Sequence, residues 1–478
     1  MSKFNEYEAH DALGLAELVQ KREVSASELL EAAIERIETR NPRLNAVVTK
    51  LYDAAQERAR GPLDGPFAGV PFLVKDLTLQ LEGARITHGS RFWRDNVCTK
   101  DSTLMSRYKA AGVVTVGVTS SAEYGLSCET APVLFGPTRN PWDLDRSAGG
   151  SSGGAAVAVA SGMVPVAHAS DGGGSIRIPS SCNGVFGLKT SRGRVPLGPD
   201  VGEGWNGLSV QHVITRSVRD SAAFLDATHG PEPGDPYAAP AFNGSFLQGL
   251  STPSRPLRVA FQTVDHFGQP AHPVVAEAVR QAAQLLSSLG HHVGEARPTF
   301  DAGALKQAMF TIVGCNTAAS LQARAQMLGR AITPDDVEAV TWPWAERGRS
   351  TSGAEMARCI GVIHTVARQI GRFFEHHDIL LTPTVATPPL PLMTVDMRSH
   401  DLDDYYDKLY ANNTFTTLCN CTGVPAANLP LHWHDGLPIG VQIIAPLGHD
   451  MRLLQVAAQV EQVRPWADRR PELYPLKE

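Results

Sequence analysis

Between residues 149 and 180 the chain turns abruptly to glycine, serine and alanine, and no other stretch constrains its fold as strongly. Two serines in this run are flanked by glycines. They lie in Gly149-Gly150-Ser151-Ser152-Gly153-Gly154 and in Asp171-Gly172-Gly173-Gly174-Ser175-Ile176-Arg177. Glycine permits backbone angles that a Cβ forbids, and a bare Cα lets a carbonyl approach the neighbouring N–H groups. A row of N–H groups ending at Ser175 suits an oxyanion hole, where donors face developing negative charge. A flexible linker is the simplest alternative. It fits poorly, because Ile176-Arg177-Ile178-Pro179 and the alanine-rich run between the two motifs are not linker-like. Glycine-rich turns also cradle phosphates, but neither segment ends in Gly-Lys-Ser/Thr or reads G-x-G-x-x-G after a strand. On spacing alone, nucleophile loop, phosphate loop and structural turn all remain open.

A serine nucleophile needs a base. The chain has sixteen histidines, and none sits in a compelling setting. His291-His292 and His376-His377 read as surface pairs, and His168 as a packing residue within the small-residue run. No G-x-S-x-G elbow is present. Lys75 is the better candidate. It follows the apolar strand Gly69-Val70-Pro71-Phe72-Leu73-Val74, where desolvation would bring a lysine pKa down from about 10.4 toward neutrality. Taken by itself, a solvated lysine at a strand end is the better explanation.

The 478 residues allow one large domain or two to three smaller ones. With 43% hydrophobic and 19% charged residues, the chain can bury a sizeable core. The net charge of −6, without a block of like charges, makes no case for nucleic acid or an anionic membrane. No apolar stretch approaches the ~18 residues of a membrane span, and the start lacks the apolar segment of a signal peptide. Seven cysteines without a C-x-x-C pair read as reduced thiols, so the expected location is cytoplasmic. Cys419 and Cys421 have metal-compatible spacing but no further ligand nearby in sequence.

Ser25 and Glu28 form a capping box, followed by Leu30, Ala33, Ile34 and Ile37 at helical spacing, with Asn41-Pro42 as the stop. Strands at 69–74 and 112–118 suggest α/β alternation. A proline- and glycine-rich connector occupies 231–256, and 270–375 is mostly helical in pattern. A strand at 378–381 precedes a proline-rich loop at 382–391. The tail holds a buried strand at 436–444 and a closing helix at 453–463.

Residues 149–180 closely resemble the amidase signature family: the paired Gly-Gly-Ser-Ser-Gly-Gly, Asp171, and Gly-Ser-Ile-Arg-x-Pro in register. The resemblance extends to 69–76, Phe186-Gly187-Leu188-Lys189-Thr190, 193–195, 215–220, Leu381-Thr382-Pro383-Thr384, 420–426 and 436–442. It is weak only over about 231–370. Position by position it implies Lys75 as base, Ser151 as a relay serine on a cis peptide, and Ser175 as nucleophile. The implied oxyanion donors are the N–H groups of Gly172, Gly173, Gly174 and Ser175, with Asp171 and Arg177 bracing the loop. Two departures stand out: Gly117-Val118-Thr119-Ser120 replaces the frequent Gly-Lys-Thr-Asn, and Gly172 stands where threonine or isoleucine is usual.

The implied fold is an α/β/α amidase-signature architecture with a large mixed central sheet. Residues 1–60 would form an N-terminal helical segment, 61–230 and 371–478 the core, and 231–370 a partly separate helical cap. The implied activity is hydrolysis of amide-type C–N bonds through an acyl-enzyme, with no cofactor and no metal. The expected partner is a small-molecule amide or carbamate, with no nucleic acid and no membrane, and a homodimer left open. Residues 65–71, 138–142 and 459–474 look most like the 6-aminohexanoate-cyclic-dimer (nylon-oligomer) hydrolase subgroup. Candidate lining segments are 124–135, 201–208 and the helical stretch around 309–317; their Leu126, Leu134, Phe135, Trp205 and Phe310 point to an apolar or aromatic acyl group, although each could equally be a core residue. The enzymatic rival is the glutaminase subunit of a tRNA-dependent amidotransferase, which usually has glutamine where Ile178 stands. The non-enzymatic rival is a phosphate-binding module.

Overall fold

Short apolar runs punctuated by glycine and proline supply the strands. In the computed structural model, which describes residues 4–252 and 255–472, eleven of them join in one sheet. They are β1 (Val47–Lys50), β2 (Pro71–Lys75), β3 (Val114–Thr119), β4 (Val166–Asp171), β5 (Phe186–Lys189), β6 (Val210–Thr215), β7 (Arg258–Phe261), β8 (His292–Glu295), β9 (Ile379–Pro383), β10 (Ala426–His434) and β11 (Leu437–Ile444). Their spatial order is β1-β3-β2-β4-β6-β5-β10-β11-β9-β7-β8. Pairing is parallel for β2 with β3 and β4, and for β7 with β8 and β9, and antiparallel elsewhere. Strands β2, β4, β5, β6, β9 and β11 are buried along their whole length, as helices on both faces require.

The helices that matter for the site are α1 (Ala26–Leu44), α2 (Gly153–Ala160), α3 (Arg177–Asn183), α4 (Pro273–Ser288), α5 (Ala302–Leu328), α6 (Thr341–Ser350), α7 (Gly353–His376), α8 (Leu402–Asn413) and α9 (Asp450–Val463). The capping box forms at α1, with the Glu28 N–H donating to Ser25 Oγ at 3.2 Å and the Ser25 N–H to Glu28 Oε2 at 2.8 Å. Pro42 does not stop this helix. It sits in the last turn and removes one backbone donor, and Asn45, in the left-handed region at φ 51°, ends the helix instead.

Every residue of α2 and α3 is buried, which explains the run of small residues. A helix apolar on all sides belongs inside the molecule. At Gly154 an added Cβ would lie 2.6 Å from Ala46 O and Ser120 N, so this contact with backbone requires glycine.

The expected 231–370 cap is corrected by the sheet. Strand β7 pairs with β9 in the register Val259↔Ile379, Ala260↔Leu380 and Phe261↔Leu381, and β8 extends the edge. These strands are four residues long, too short for a periodicity to reveal them. Helices α5, α6 and α7 form the helical layer and share a second apolar core with Tyr405, Leu409 and Tyr410 of α8. Helix α8 itself carried no expectation. His291 is also corrected: it is buried, its Nδ1 accepts the Leu257 N–H at 3.1 Å, and only its neighbour His292 is exposed. Tyr474, at the end of the subgroup-like tail, and residues 253–254 of the connector lie outside the described residues. Among the described residues no helix is long and apolar enough to cross a membrane.

Candidate active site

Lys75 closes β2 with its side chain fully buried. Its Nζ is hydrogen-bonded to Ser151 Oγ at 2.8 Å and to Ser170 Oγ at 3.0 Å. Burial brings its pKa down to about 7, against the opposing pull of the Asp171 and Asp76 carboxylates. A lysine in this state holds a substantial neutral fraction near neutrality, which a general base requires.

The main chain of Lys75 is held just as closely. Its N–H donates to Nδ1 of His168 at 3.3 Å. That ring nitrogen therefore carries no proton, and Nε2 donates to Gln211 Oε1 at 2.8 Å. Burial pushes the His168 pKa down to about 3, so the imidazole is neutral. His168 read from sequence as a packing residue. Nothing in the local pattern signals that it takes the N–H of Lys75.

Ser151 follows a cis peptide bond from Gly150 in the loop ahead of α2. Thr130 organises this loop, a role that sequence reasoning missed. Its hydroxyl lies 2.9 Å from Gly149 O and 3.2 Å from Ser151 O, and accepts the Gly153 N–H at 2.9 Å.

The second serine motif is built on a buried ion pair. Arg177 meets Asp171 in a two-pronged contact, Nε to Oδ2 and Nη2 to Oδ1, both 2.9 Å. The remaining guanidinium donors reach Gln442 Oε1, Thr416 O and Asn420 Oδ1. Burial alone would raise the Asp171 pKa, but Arg177, Lys189 and Asn420 outweigh it and hold the carboxyl well below the usual range. Asp171 also accepts the N–H groups of Gly174 at 2.8 Å and Ile176 at 3.1 Å. The four-donor expectation is narrowed accordingly. The Gly174 N–H is committed to Asp171, whereas those of Gly172, Gly173 and Ser175 have no acceptor among the described residues.

Ser175 and Gly173 open onto a pocket. Leu126, Trp205 and Phe310 line it, as expected, but Leu134 and Phe135 do not. Those two lie in a turn closed by the Gly136 N–H on Pro132 O, and Phe135 O accepts Asn45 Nδ2 beyond the end of α1. Their place is taken by Met309, Trp344, Leu409 and Tyr410 from α5, α6 and α8. Phe310 meets the Trp344 ring edge-on at 5.8 Å and Tyr410 at 6.0 Å. Met309 belongs to the 309–317 stretch that the sequence offers as pocket lining; Trp344, Leu409 and Tyr410 carry no such signal, and only the packing of three helices turns all four toward one cavity.

A mixed sheet carrying a buried lysine bonded to a serine hydroxyl, with a glycine-rich loop opening onto an apolar cavity, has the makings of a serine amidohydrolase. The chain belongs to the amidase signature family: the family model described as Amidase matches residues 28–454. It is 39% identical over 478 residues to the 6-aminohexanoate-cyclic-dimer hydrolase of Pseudomonas sp. (strain NK87), covering 97% of this chain and 96% of that protein. A solved structure of 6-aminohexanoate cyclic dimer hydrolase complexed with substrate is similar at a TM-score of 0.93 and 38% identity, covering 97% of this chain and 99% of that one. A bacterial aryl acylamidase of the amidase signature family is similar at 0.88 and 30%, covering 98% and 99%. The chain is a hydrolase acting on carbon–nitrogen bonds other than peptide bonds.

Proposed function

We propose that Ser175 is the nucleophile, Ser151 the relay and Lys75 the base in hydrolysis of secondary amides with an apolar group beside the carbonyl. The observation that carries this reading is the 2.8 Å bond between the buried Lys75 amine and Ser151, next to a cavity that contains Ser175. In the resting state the neutral amine accepts a hydrogen bond from the Ser151 hydroxyl. As Ser175 attacks, its proton passes to Ser151 while the Ser151 proton passes to Lys75. The oxyanion lies on the free N–H groups of Gly172, Gly173 and Ser175. Collapse breaks the C–N bond, and the leaving amine takes a proton from Ser151, which Lys75 replenishes. Water then attacks the acyl-enzyme by the same proton route in reverse, releasing the acid and Ser175.

The lining supports apolar substrates: Leu126, Trp205, Met309, Phe310 and Trp344 offer no charge for a glutamine head group. Aminohexanoate-type amides and anilides are the proposed class, with aryl carbamates as a second group. The test is a hydrolysis screen of the isolated protein over anilides, short nylon oligomers, aryl carbamates and glutamine, with Ser175→Ala alongside. The variant should retain less than about one-thousandth of the activity and lose labelling by a fluorophosphonate. Selective glutaminase activity without anilide cleavage would overturn the substrate class. Labelling at another serine would overturn the nucleophile.

A further inference from the structure

We infer that Trp205 selects which substrate chains fit beside Ser175, and that residue 172 is glycine in order to admit its indole. This inference rests on the amidase reading above and names a determinant of its specificity. A Cβ built on Gly172 would lie 2.7 Å from both Cε3 and Cζ3 of the Trp205 ring, closer than real Cβ atoms come to anything. The six-membered edge of the indole therefore rests directly on the first peptide of the loop that runs to Ser175. The same ring lines the Ser175 cavity together with Gly173.

Trp205 is held there deliberately. It adopts φ 51°, followed by Asn206 at 52° and Gly207 at 81°. A bulky side chain in the left-handed region is an outlier that persists only where its surroundings over-determine it. Those surroundings are visible. The Ser209 N–H closes the loop on Gly204 O at 3.0 Å, and Asn316 Nδ2 from α5 donates to Asn206 Oδ1 at 2.6 Å. Arg192 Nε donates to Gly207 O. Asn420 Nδ2 reaches both Leu208 O and Asp171 O, tying this loop to the one it covers. The result is a flat aromatic wall fixed against the proposed oxyanion donors. A linear chain can pass alongside such a wall, whereas a branch next to the carbonyl would strike it.

The experiment is a double-mutant cycle on two isomeric substrates, hexananilide and its α-branched counterpart 2-ethylbutananilide. The variants are Trp205→Ala, Gly172→Thr and the pair, with Trp205→Phe as a version that keeps a smaller aromatic face. Threonine at 172 keeps the N–H donor, so any loss it causes is steric. Trp205→Ala should lower kcat/KM for the linear anilide and raise the branched-to-linear ratio by about ten-fold or more, with Trp205→Phe in between. Gly172→Thr alone should lose about thirty-fold or more on the linear substrate, yet cost less than about three-fold when added to Trp205→Ala. An unchanged substrate ratio in both Trp205 variants would overturn the inference, as would an equal penalty from threonine with and without the indole. Failure of the wild type on both anilides would count against the amide reading instead. The corresponding p-nitrophenyl esters would then carry the same comparison, since their leaving group needs no protonation.

Discussion

Lys75→Met should inactivate the protein and, at neutral pH, stabilise it. The reason is the proton. The lysine side chain is fully buried, and burial brings its pKa from 10.5 to about 7. Between those values the unfolded chain holds a proton that the folded protein has released, so stability of the wild type rises with pH across this window. Below about pH 7 the lysine is protonated in both states and the full cost is present, about 5 kcal/mol at about 1.4 kcal/mol per pH unit. Above 10.5 it has vanished. Methionine matches the length of the side chain and has no proton to bind. Against this gain stand the lost bonds to Ser151 and Ser170, about 1 kcal/mol each. The net gain is about 3 kcal/mol at pH 7 or below, or about 3 °C in Tm for a chain of this length. Urea unfolding of both proteins at pH 6.5, 8 and 9.5 measures it. The difference should shrink as pH rises and change sign near pH 9. A difference that is constant over this range, or a wild type more stable at pH 6.5, would refute the account of a lysine held neutral by burial.

If Lys75 is the base as proposed, kcat/KM should climb roughly ten-fold from pH 6 to pH 8 and then level off, and a profile falling over that range would point to another base. Arg177→Met leaves Asp171 buried without its bidentate partner and should destabilise the protein by about 3–5 kcal/mol in urea unfolding, with collapse of activity. At His168, asparagine can still accept the Lys75 N–H and leucine cannot. Steady-state kinetics should therefore show His168→Asn within about five-fold of wild-type kcat and His168→Leu at least about ten-fold down.

The local signals in this sequence were strong because they encode local physics. The capping box at Ser25 and Glu28, the apolar run into Lys75 and the buried strand at 437–444 each announce themselves through hydrogen bonding or burial within a few residues. The small residues of 149–180 likewise signalled close approach of backbones, and α2 and α3 are buried throughout. Tertiary structure decided what depends on distant segments. Residues 258–295 read as part of a helical cap, yet β7 pairs with β9 and β8 pairs with β7, so both short strands extend the sheet edge. Leu134 and Phe135 are as apolar as Leu126, but a tight turn directs them away while Met309, Trp344 and Tyr410 arrive from three separate helices. Gly174 looked equivalent to its neighbours until the fold placed its N–H on Asp171. His168 gained a partner in Lys75 because parallel pairing sets β4 beside β2 across 93 positions of chain. A side chain's type and spacing record what it can do; which donor, ring or cavity it meets is settled by the packing of elements that the chain order keeps far apart.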